Sequence, residues 1–399
     1  MFDSQDKKKI VHICLAGLYM SGWGYQDNMI AKYHKLEGHD VTVIANRYVY
    51  DEKGNYTPTD KTEETDINGV KIVRLAQKGN KQQKGPAERV HYIGLYDALE
   101  NEKPDIIFIH NPQIMDVDDI VIYMKSHKET RLYVDSHSDY SNSGRNFLSK
   151  HILHGIFWRS KVQKLVPYTR KFYGVLPARV DFLLDRYKTP KDKTELLVMG
   201  MDDEKAEAAD NQEKIKEIRA KYNISDNDFL IVTGGKIDSS KRQTLLLMDA
   251  VREINLLEDR PRRIKLLIFG SVADELKTEF DQILNSTDDI TYIGWLEADD
   301  TYPYFAAAEL VVFPGRHSVM WEQVAGQGKP MIVKYWEGTT HVDLGGNCKF
   351  IMHDSVEDIQ DCIIDAMNPD EYEKMKSVAM EKGPNVFSYR TISRNCIEE

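Results

Sequence analysis

Long hydrophobic runs and closely spaced cysteines are both missing from this sequence. A membrane-spanning helix needs about 20 consecutive apolar residues, and no run approaches that length. The four cysteines, Cys14, Cys348, Cys362 and Cys396, form no CxxC or other metal-ligand spacing. The sequence therefore indicates a cytosolic protein with reduced thiols and no cysteine-based metal site.

Lysine and arginine are fewer than aspartate and glutamate, at 53 against 64 residues. The net charge is -11 at pH 7, and a general nucleic-acid binder needs a basic surface that neutralises phosphates. The charge balance therefore excludes that class. Lys7 to Lys9 precede an apolar stretch, as in a secretory signal peptide, but the stretch is short, contains His12 and leads into a glycine-rich loop. It predicts a first buried strand instead.

Two common nucleotide-binding signatures do not occur either. There is no GxGxxG and no GxxxxGK[ST], which are the fingerprints of the dinucleotide fold and the P-loop. No DxD pair is flanked by apolar strand residues, because the acidic pairs Asp118-Asp119 and Asp202-Asp203 lie in polar surroundings. The sequence therefore shows no acidic pair in a setting typical of a metal-bound diphosphate.

What the sequence does contain is an ordinary globular composition, 41% hydrophobic and 29% charged, over 399 residues. This length is typical of two domains. Strand and helix patterns alternate in two series, and a polar, charged stretch separates them near residue 205. The pattern predicts an α/β protein with one domain over 1–205, a second over 206–380 and a C-terminal helical segment over 381–399.

The first series opens with a strand, a glycine-rich loop, a helix and a second strand, which form a βαβ unit. The loop contains Gly17, Gly22 and Gly24, and no acidic residue ends the second strand, where a ribose ligand would stand. The glycines either allow a ligand to approach the backbone closely or form a tight turn without a ligand.

Two later strands of this domain end in polar segments that contain a histidine. The strand over 106–109 leads into His110, and the strand over 131–135 leads into Ser136-His137-Ser138. In a parallel sheet both histidines lie on the same edge, where ligands bind in open α/β folds. His137 is therefore a candidate ligand contact, and a satisfied edge histidine is the alternative.

The segment from Tyr140 to Val180 has no acidic residue and eight lysines and arginines. Apolar residues between Phe147 and Phe157 recur at helical spacing, with Trp158 beside them. A basic amphipathic helix of this kind can lie on an anionic membrane surface. An ordinary core helix with a solvated basic back is the commoner explanation of such a pattern.

In the second series, the turn after the strand over 228–233 suits a phosphate. Gly234 and Gly235 free backbone amides, and Lys236 and Lys241 flank the turn before a helix. Two solvated surface lysines are the alternative.

The stretch from Val311 to Gly346 has the strongest pattern in the chain. An apolar strand ends at Pro314-Gly315, a polar loop and a short helix follow, and the next strand starts near Met331. Ligands bind at such strand ends in open parallel sheets. Glu322, on the short helix, can accept both hydroxyls of a ribose, although a surface role would be equally consistent with the residue alone.

The order and content of these segments resemble the GT-B glycosyltransferases, specifically the large retaining family 4. AKYHKLEGHDVTVIA and PDIIFIHN are similar to strands and a helix of that family's first domain. GGKIDSSKRQ resembles its diphosphate-holding turn, and FPGRHSVMWEQVAGQGKPMIV resembles its strand, acidic helix and G-x-P turn. The resemblance covers nearly the whole chain. It implies a GT-B fold, with two Rossmann-like domains facing a cleft and a C-terminal helix that packs back on the first.

The resemblance also implies roles for individual residues. Glu322 would bind the ribose, His137 would face the donor sugar, and Trp295 and Leu296 would pack near the nucleobase. The residues expected to hold the donor diphosphate are Gly22, Gly24, Gly235, Lys236 and Lys241. Because the lysines neutralise the leaving diphosphate, the resemblance implies no metal and no cofactor other than a UDP- or GDP-linked sugar as the donor.

The sequence departs from the family at one important place. The family has two glutamates eight residues apart, and counting back eight from Glu322 gives Pro314. The first glutamate, which faces the transferred sugar, has no clear equivalent, and His317 or Ser318 is expected in its place. An alignment on the G-x-P turn would put Gln323 rather than Glu322 at the ribose. His341 stands where the family usually has an acid.

The predicted function is transfer of a sugar, with retention, from a nucleotide donor to a glycan or lipid-linked acceptor, in surface polysaccharide or glycoconjugate synthesis. The protein would be cytoplasmic, with the basic 140–180 segment contacting the inner membrane surface. Two alternatives stay open. One is a GT-B epimerase or phosphorylase, and the other is a catalytically silent GT-B protein that binds nucleotide sugar as an assembly partner.

Overall fold

The computed structural model describes residues 7–51, 55–79 and 87–398. It divides into two compact units, one of Met1–Val198 with Ile392–Glu399 and one of Met199–Thr391. The sequence placed this boundary near residue 205, and the structure places it between Val198 and Met199.

The first unit is built on a mostly parallel sheet. In the described residues it has eight strands in the order β10-β9-β8-β7-β1-β2-β6-β5, in which only β5 is antiparallel, and β3 and β4 form a separate hairpin. The strands are β1 (Lys9–Cys14), β2 (Asp40–Asn46), β3 (Tyr48–Tyr50), β4 (Tyr56–Pro58), β5 (Glu63–Thr65), β6 (Lys71–Leu75), β7 (Ile106–His110), β8 (Arg131–Ser136), β9 (Thr169–Gly174) and β10 (Thr194–Leu196).

The central strands are short apolar runs that are buried on both faces, as parallel sheets covered by helices require. Register places His110 of β7 beside Asp135 of β8 and His12 of β1 beside Phe108. The helices of the unit are α1 (Gln26–Leu36), α2 (Leu95–Glu102), α3 (Val117–Ser126), α4 (Arg159–Leu165) and α5 (Pro177–Phe182), with π-helical segments over Leu148–Trp158 and Leu183–Tyr187 and 3-10 turns over Ala87–Arg89 and Lys191–Lys193.

The segment over 140–180 contradicts the core-helix explanation of its pattern. Trp158 is buried, but Phe147, Leu148, Ile152 and Ile156 are exposed, with Leu148 at 70% of its full accessible surface. The last three follow at i, i+4 and i+8, so they form one apolar face of the π-helical segment. In the described residues, no helix is both long enough and apolar enough to cross a bilayer.

The second unit contains a smaller, wholly parallel sheet in the order β13-β12-β11-β14-β15-β16. Its strands are β11 (Phe229–Gly234), β12 (Ile264–Phe269), β13 (Ile290–Gly294), β14 (Leu310–Phe313), β15 (Met331–Lys334) and β16 (Cys348–Ile351). The first strand of the unit, β11, lies in the middle of the sheet. The next two strands along the chain, β12 and β13, lie on one side of it, and β14, β15 and β16 lie on the other side, so the strand order reverses between β11 and β14. Such a switch point leaves a crevice at the carboxyl ends of the strands.

The helices of this unit are α6 (Asp203–Ala209), α7 (Gln212–Lys221), α8 (Gln243–Ile254), α9 (Asp274–Leu284), α10 (Thr301–Ala307), α11 (Met320–Gly326), α12 (Val356–Met367) and α13 (Pro369–Val386), with 3-10 turns over Ser239–Lys241 and Thr340–Val342. The last helix, α14 (Tyr389–Asn395), begins in the second unit and ends in the C-terminal segment of the first. Local chemistry sets their ends. Ser355 caps α12 by accepting from the Asp358 amide, and Asn368 caps α13, whose first residue is proline.

Candidate functional site

The glycine turn after β11 brings one lysine against the ends of two adjacent strands. Gly235 has a φ of +118°, which favours glycine, and a Cβ there would lie 3.7 Å from Nζ of Lys241. A Cβ on Gly315, just after β14, would lie 3.2 Å from Cγ of Lys241. Lys241 therefore lies along the glycine backbone at the carboxyl ends of β11 and β14.

The two predicted phosphate lysines differ. The Lys236 side chain is 70% exposed, and its ammonium pairs with Asp238 at 3.3 Å. Lys241 is half-buried, and among the described residues no carboxylate forms an ion pair with it. Burial lowers the pKa of Lys241, although Asp238 opposes this. Only Lys241 is thus a partly desolvated cation without an ion-pair partner.

Glu322 lies on α11, whose first residue is Met320. A Cβ on Gly235 would lie 3.1 Å from Cε of Met320, so the start of α11 adjoins this turn. The Glu322 side chain is fully buried. Its Oε1 atom accepts two hydrogen bonds, from Nε2 of His317 and from Nε2 of His341, each at 2.8 Å. The loop after β14 and the turn after β15 therefore meet at a single carboxylate oxygen.

The other oxygen of this carboxylate has a different environment. Among the described residues, Oε2 of Glu322 is buried without a hydrogen-bond partner, and so is Nδ1 of His341. Burial raises the pKa of Glu322, but His317 and His341 outweigh it and lower that pKa to about 2. Glu322 is thus a carboxylate at neutral pH, with one oxygen satisfied and one free to accept.

Unpartnered polar atoms cluster around this carboxylate. Ser318 Oγ and Trp321 Nε1 are also buried without partners among the described residues. Buried polar atoms are normally satisfied by protein, water or a ligand. The ligand atoms of His317, Glu322 and His341 also lie within 4.8 Å of one another, so the same three residues could hold a divalent cation.

The remaining predicted contacts in this unit are less enclosed. Trp295 follows Gly294 at the end of β13, is 64% exposed and donates from Nε1 to Glu297. Leu296 is half-buried. Gln323, the alternative ribose ligand, donates to Thr301 Oγ1 at 2.9 Å and is therefore already engaged.

Gly22 and Gly24 belong to the first unit, in the loop before α1. Gly22 has a φ of +82°, and a Cβ there would approach the Ile67 side chain. Open space surrounds the Cβ position of Gly24. Their assignment to the donor diphosphate stays a prediction.

His137 also lies in the first unit, one residue after β8. Its side chain is 31% exposed, and Nε2 lies 3.5 Å from Oδ1 of Asp135. Asn111 accepts from the His137 amide at 2.8 Å. The neighbouring edge histidine, His110, is buried and donates from Nδ1 to Asp135 at 2.7 Å. The structure thus brings both strand-end histidines to one carboxylate.

Sequence reasoning missed the importance of three residues. His341 was noted only as a replacement for an acid, whereas it contacts Glu322 directly. His12 and His34 were not considered as partners, yet they are hydrogen-bonded to each other. The separations of 19 and 22 residues have no periodic signal, so only the fold could reveal these pairs.

Comparison with known proteins by sequence gives no match. No family model matches the chain, and no curated protein does.

Comparison of structures gives many matches. A glycosyltransferase from Rickettsia africae ESF-5 has a TM-score of 0.67 and 14% identity, covering 98% of this chain and 97% of the other. Anabaena Alr3699/HepE in complex with UDP and glucose has a TM-score of 0.63 and 14% identity over 97% and 98%. A UDP-N-acetylglucosamine 2-epimerase has a TM-score of 0.59 and 14% identity over 98% and 95%.

These neighbours share the arrangement of two parallel-sheet units, which confirms the α/β fold class predicted from the sequence. At these identities the likeness establishes the fold. The chain has the GT-B fold of the glycosyltransferases that it resembles.

Proposed function

We propose that this protein is a glycosyltransferase that moves a sugar, with retention, from a UDP- or GDP-linked donor to a glycan or lipid-linked acceptor. The observation that carries the proposal is that Lys241 lies against the glycine turn of the second unit, and that Glu322 lies on α11, whose first residue Met320 adjoins the same turn. One is a cation without an ion-pair partner among the described residues, and the other is a buried carboxylate with an unsatisfied oxygen. A nucleoside diphosphate has the complementary groups, namely phosphates and ribose hydroxyls.

The chemistry breaks the bond between the sugar C1 and the diphosphate oxygen and forms a bond from C1 to the acceptor oxygen. The acceptor proton leaves with the nucleoside diphosphate. Lys241 would stabilise the charge that develops on the leaving diphosphate, in a partly desolvated setting that strengthens the interaction. Oε2 of Glu322 would accept a ribose hydroxyl and orient the donor.

Neighbouring structures support the choice of ligand. Anabaena Alr3699/HepE is described in complex with UDP, with UDP and glucose, and with UDP-glucose. WaaG is described as a glycosyltransferase involved in lipopolysaccharide biosynthesis. We therefore include in the proposal that this protein uses a nucleotide-sugar donor and that its acceptor belongs to surface polysaccharide or glycoconjugate synthesis.

The test is release of nucleoside diphosphate from a panel of UDP- and GDP-sugars, followed by proton NMR of the sugar. We expect one donor to be hydrolysed slowly without acceptor, giving free sugar whose first-formed anomer matches the donor. An opposite first-formed anomer would overturn retention. Absence of turnover with every donor, despite binding, would favour the silent partner protein, which the missing first glutamate suggests.

An epimerase is the second candidate, because UDP-N-acetylglucosamine 2-epimerases share the fold. The same NMR experiment separates it from a transferase. Epimerisation would invert the configuration at C2 of the sugar in UDP-N-acetylglucosamine and would need no acceptor. Transfer to an added acceptor would instead produce a new glycosidic signal.

We further propose that transfer needs no metal, because Lys241 supplies the charge that a divalent cation would otherwise bring to the diphosphate. Incubation with EDTA followed by gel filtration should leave donor turnover unchanged. Loss of turnover that zinc or magnesium restores would contradict this and would make His317, Glu322 and His341 the candidate ligands.

The acceptor side of the proposal includes a membrane surface. The exposed ridge of the first unit, formed by Phe147, Leu148, Ile152 and Ile156, is apolar. Arg145, Lys150 and Arg159 adjoin it, and the segment has no acidic residue. Apolar insertion combined with a basic surround fits the inner, anionic membrane face, where a lipid-linked acceptor would be found.

Co-sedimentation with vesicles tests this contact. We expect binding to vesicles of mixed phosphatidylglycerol and phosphatidylcholine, weaker binding to phosphatidylcholine alone, and loss in a Leu148→Ser, Ile152→Ser double variant. Leu256→Ser is the control, since Leu256 is more exposed than either of these residues but lies in the second unit. Equal binding by both variants would exclude the ridge.

A further inference from the structure

A row of buried imidazoles crosses the first unit from its C-terminal segment to the edge of the sheet. His34 of α1, His12 of β1 and His110 of β7 are each at most 4% exposed. Nδ1 of His34 lies 3.1 Å from Nε2 of His12, and Nδ1 of His12 lies 2.9 Å from Nε2 of His110. All three rings are therefore joined by hydrogen bonds through both nitrogens.

Acceptors stand at both ends of the row. At one end, Nε2 of His34 lies 2.7 Å from the carbonyl oxygen of Ser393, which can only accept. At the other end, Nδ1 of His110 lies 2.7 Å from Oδ2 of Asp135. The second oxygen of Asp135 accepts from the Asn111 amide at 3.1 Å, which favours the ionised carboxylate.

Counting hydrogens fixes the charge of the row. Four hydrogen bonds link Ser393, the three rings and Asp135, and each requires one hydrogen. Three neutral imidazoles supply only three N–H groups, so the row needs one additional proton. The total of four ring hydrogens is the same whichever ring carries the additional proton. When that proton moves from one ring to another, each hydrogen bond between the two rings reverses its direction.

We propose that His34, His12 and His110 form one singly protonated row, that its charge resides on His110, and that this charge holds Asp135 as the carboxylate that positions His137. Among the described residues, Asp135 is the only carboxylate that is hydrogen-bonded to the row, and its partner is His110. Burial lowers the pKa of His110, but Asp135 outweighs it, so that pKa is raised. Burial lowers the pKa of His34 to about 3, and burial with two neighbouring rings lowers that of His12.

Other charged groups around the row do not change the count. Asp27 of α1 interacts electrostatically with His110 and His137, and His39 interacts with His34. Cys14 and Cys396 are buried, and burial raises the pKa of both thiols, so they remain neutral. Sγ of Cys396 lies 3.9 Å from Nε2 of His34, but its S–H donates to the carbonyl oxygen of Ser393 at 3.2 Å. His137 is not part of the row. Its Nε2 atom lies 3.5 Å from Oδ1 of Asp135, so Asp135 can orient the His137 ring.

Nitrogen NMR of the full chain labelled at histidine tests the proposal. At pH 7.5, above the usual titration range of histidine, we expect both ring nitrogens of His110 to be protonated, and one unprotonated nitrogen each on His12 and His34. We also expect a hydrogen on Nε2 of His137, facing Asp135. An unprotonated nitrogen on His110 would overturn the charge assignment, and an unprotonated Nε2 on His137 would overturn its positioning.

Two variants of one residue form a matched pair. In His34→Gln the new amide donates to Ser393 and accepts from His12, so two rings still have to fill three hydrogen bonds and His110 stays doubly protonated. In His34→Phe two rings fill two bonds, so His110 loses its additional proton. Retention of that proton in His34→Phe would overturn the counting argument. If this variant does not fold, His34→Gln and the wild type still decide the charge on His110.

The row does not depend on the proposed function, and only the use of His137 rests on it. The NMR measurement needs no donor, so its failure is distinguishable from failure of the glycosyltransferase proposal. His137→Ala is the control that should leave the spectrum of His110 unchanged. A changed protonation state of His110 in that variant would show that His137 helps to set the charge, contrary to the proposal.

Discussion

Each unit of this protein holds a buried carboxylate between two histidines, and the two carboxylates differ in how completely the protein satisfies them. Asp135 in the first unit uses both oxygens, with His110 on Oδ2 and with the Asn111 amide and His137 on Oδ1. Glu322 in the second unit receives both histidines on Oε1, and Oε2 has no partner among the described residues.

The difference teaches what each carboxylate can do. A buried carboxylate whose oxygens are both hydrogen-bonded contributes to structure and orients its neighbours. A buried carboxylate with one unsatisfied oxygen carries a desolvation cost that a ligand donor can remove. We therefore expect changes at Asp135 to act mainly on stability and changes around Glu322 to act mainly on nucleotide binding.

The largest effect is expected from Asp135→Asn, which removes the negative charge beside His110. Breaking a buried ion pair by removing one partner costs about 3–5 kcal/mol. Urea unfolding monitored by tryptophan fluorescence should show this loss. Asp118→Asn is the control, because the Asp118 side chain is exposed and pairs with Lys164 at the surface, where such pairs contribute about 1 kcal/mol or less. Equal losses of unfolding free energy in the two variants would contradict the structural role that we assign to the buried Asp135 carboxylate.

Lys241→Met is expected to weaken binding of the nucleoside diphosphate, while the free energy of unfolding changes little. A charge-assisted hydrogen bond contributes about 1.5–3 kcal/mol, which corresponds to roughly a 10- to 150-fold change in Kd. Isothermal titration calorimetry gives the value. Lys236→Met is the matched control and should change Kd less than about threefold, because Lys236 is exposed and paired with Asp238. The reverse order would refute the assignment of the phosphate to Lys241.

Glu322→Gln is expected to cost about 1 kcal/mol of stability, since the amide oxygen still accepts both histidines but without charge assistance. The cost should depend on pH. The folded-state pKa of Glu322, about 2, lies below its ordinary value of 4.5. The charge therefore stabilises the fold above pH 4.5, and the contribution is lost as pH falls towards 2. The free energy of unfolding of wild type and variant should be measured at pH 6 and at the lowest pH that permits folding. We expect the difference between the two proteins to be smaller at the lower pH, and a larger difference there would contradict the direction of the pKa shift.

The smallest effect on stability is expected from Trp295→Ala, within about 0.5 kcal/mol, because the side chain is largely exposed. If Trp295 packs on the nucleobase, this variant should bind UDP or GDP more weakly and pyrophosphate unchanged. Calorimetry with both ligands separates the two contributions. Unchanged affinity for the nucleotide would remove Trp295 from the site.

Much of the fold could be predicted because parallel strands that are buried on both faces have short, continuous apolar runs in their sequence. The strands over 106–109 and 310–313 were located from such runs, and the structure has them as β7 and β14. The hairpin of β3 and β4 and the edge strand β5 were not predicted, because Tyr-Val-Tyr, Tyr-Thr-Pro and Glu-Glu-Thr have no apolar periodicity.

The site could be predicted only in part. Glu322 and the lysine turn were identified from strand ends and from a family resemblance. The sequence could not distinguish Lys236 from Lys241, because their difference lies in burial and in the Asp238 pair. It also could not show that His317 and His341 share one oxygen of Glu322, since that depends on two loops of the fold meeting.

The central claim is that the second unit binds a nucleoside diphosphate through Lys241 and the open side of Glu322. Thermal unfolding with UDP, GDP, ADP and their sugars tests it most directly, because a ligand that binds only the folded state raises Tm with concentration. We predict that one nucleotide raises Tm in the wild type and in Lys236→Met, and that Lys241→Met abolishes most of the shift. No shift with any nucleotide, or an equal shift in Lys241→Met, would contradict the claim.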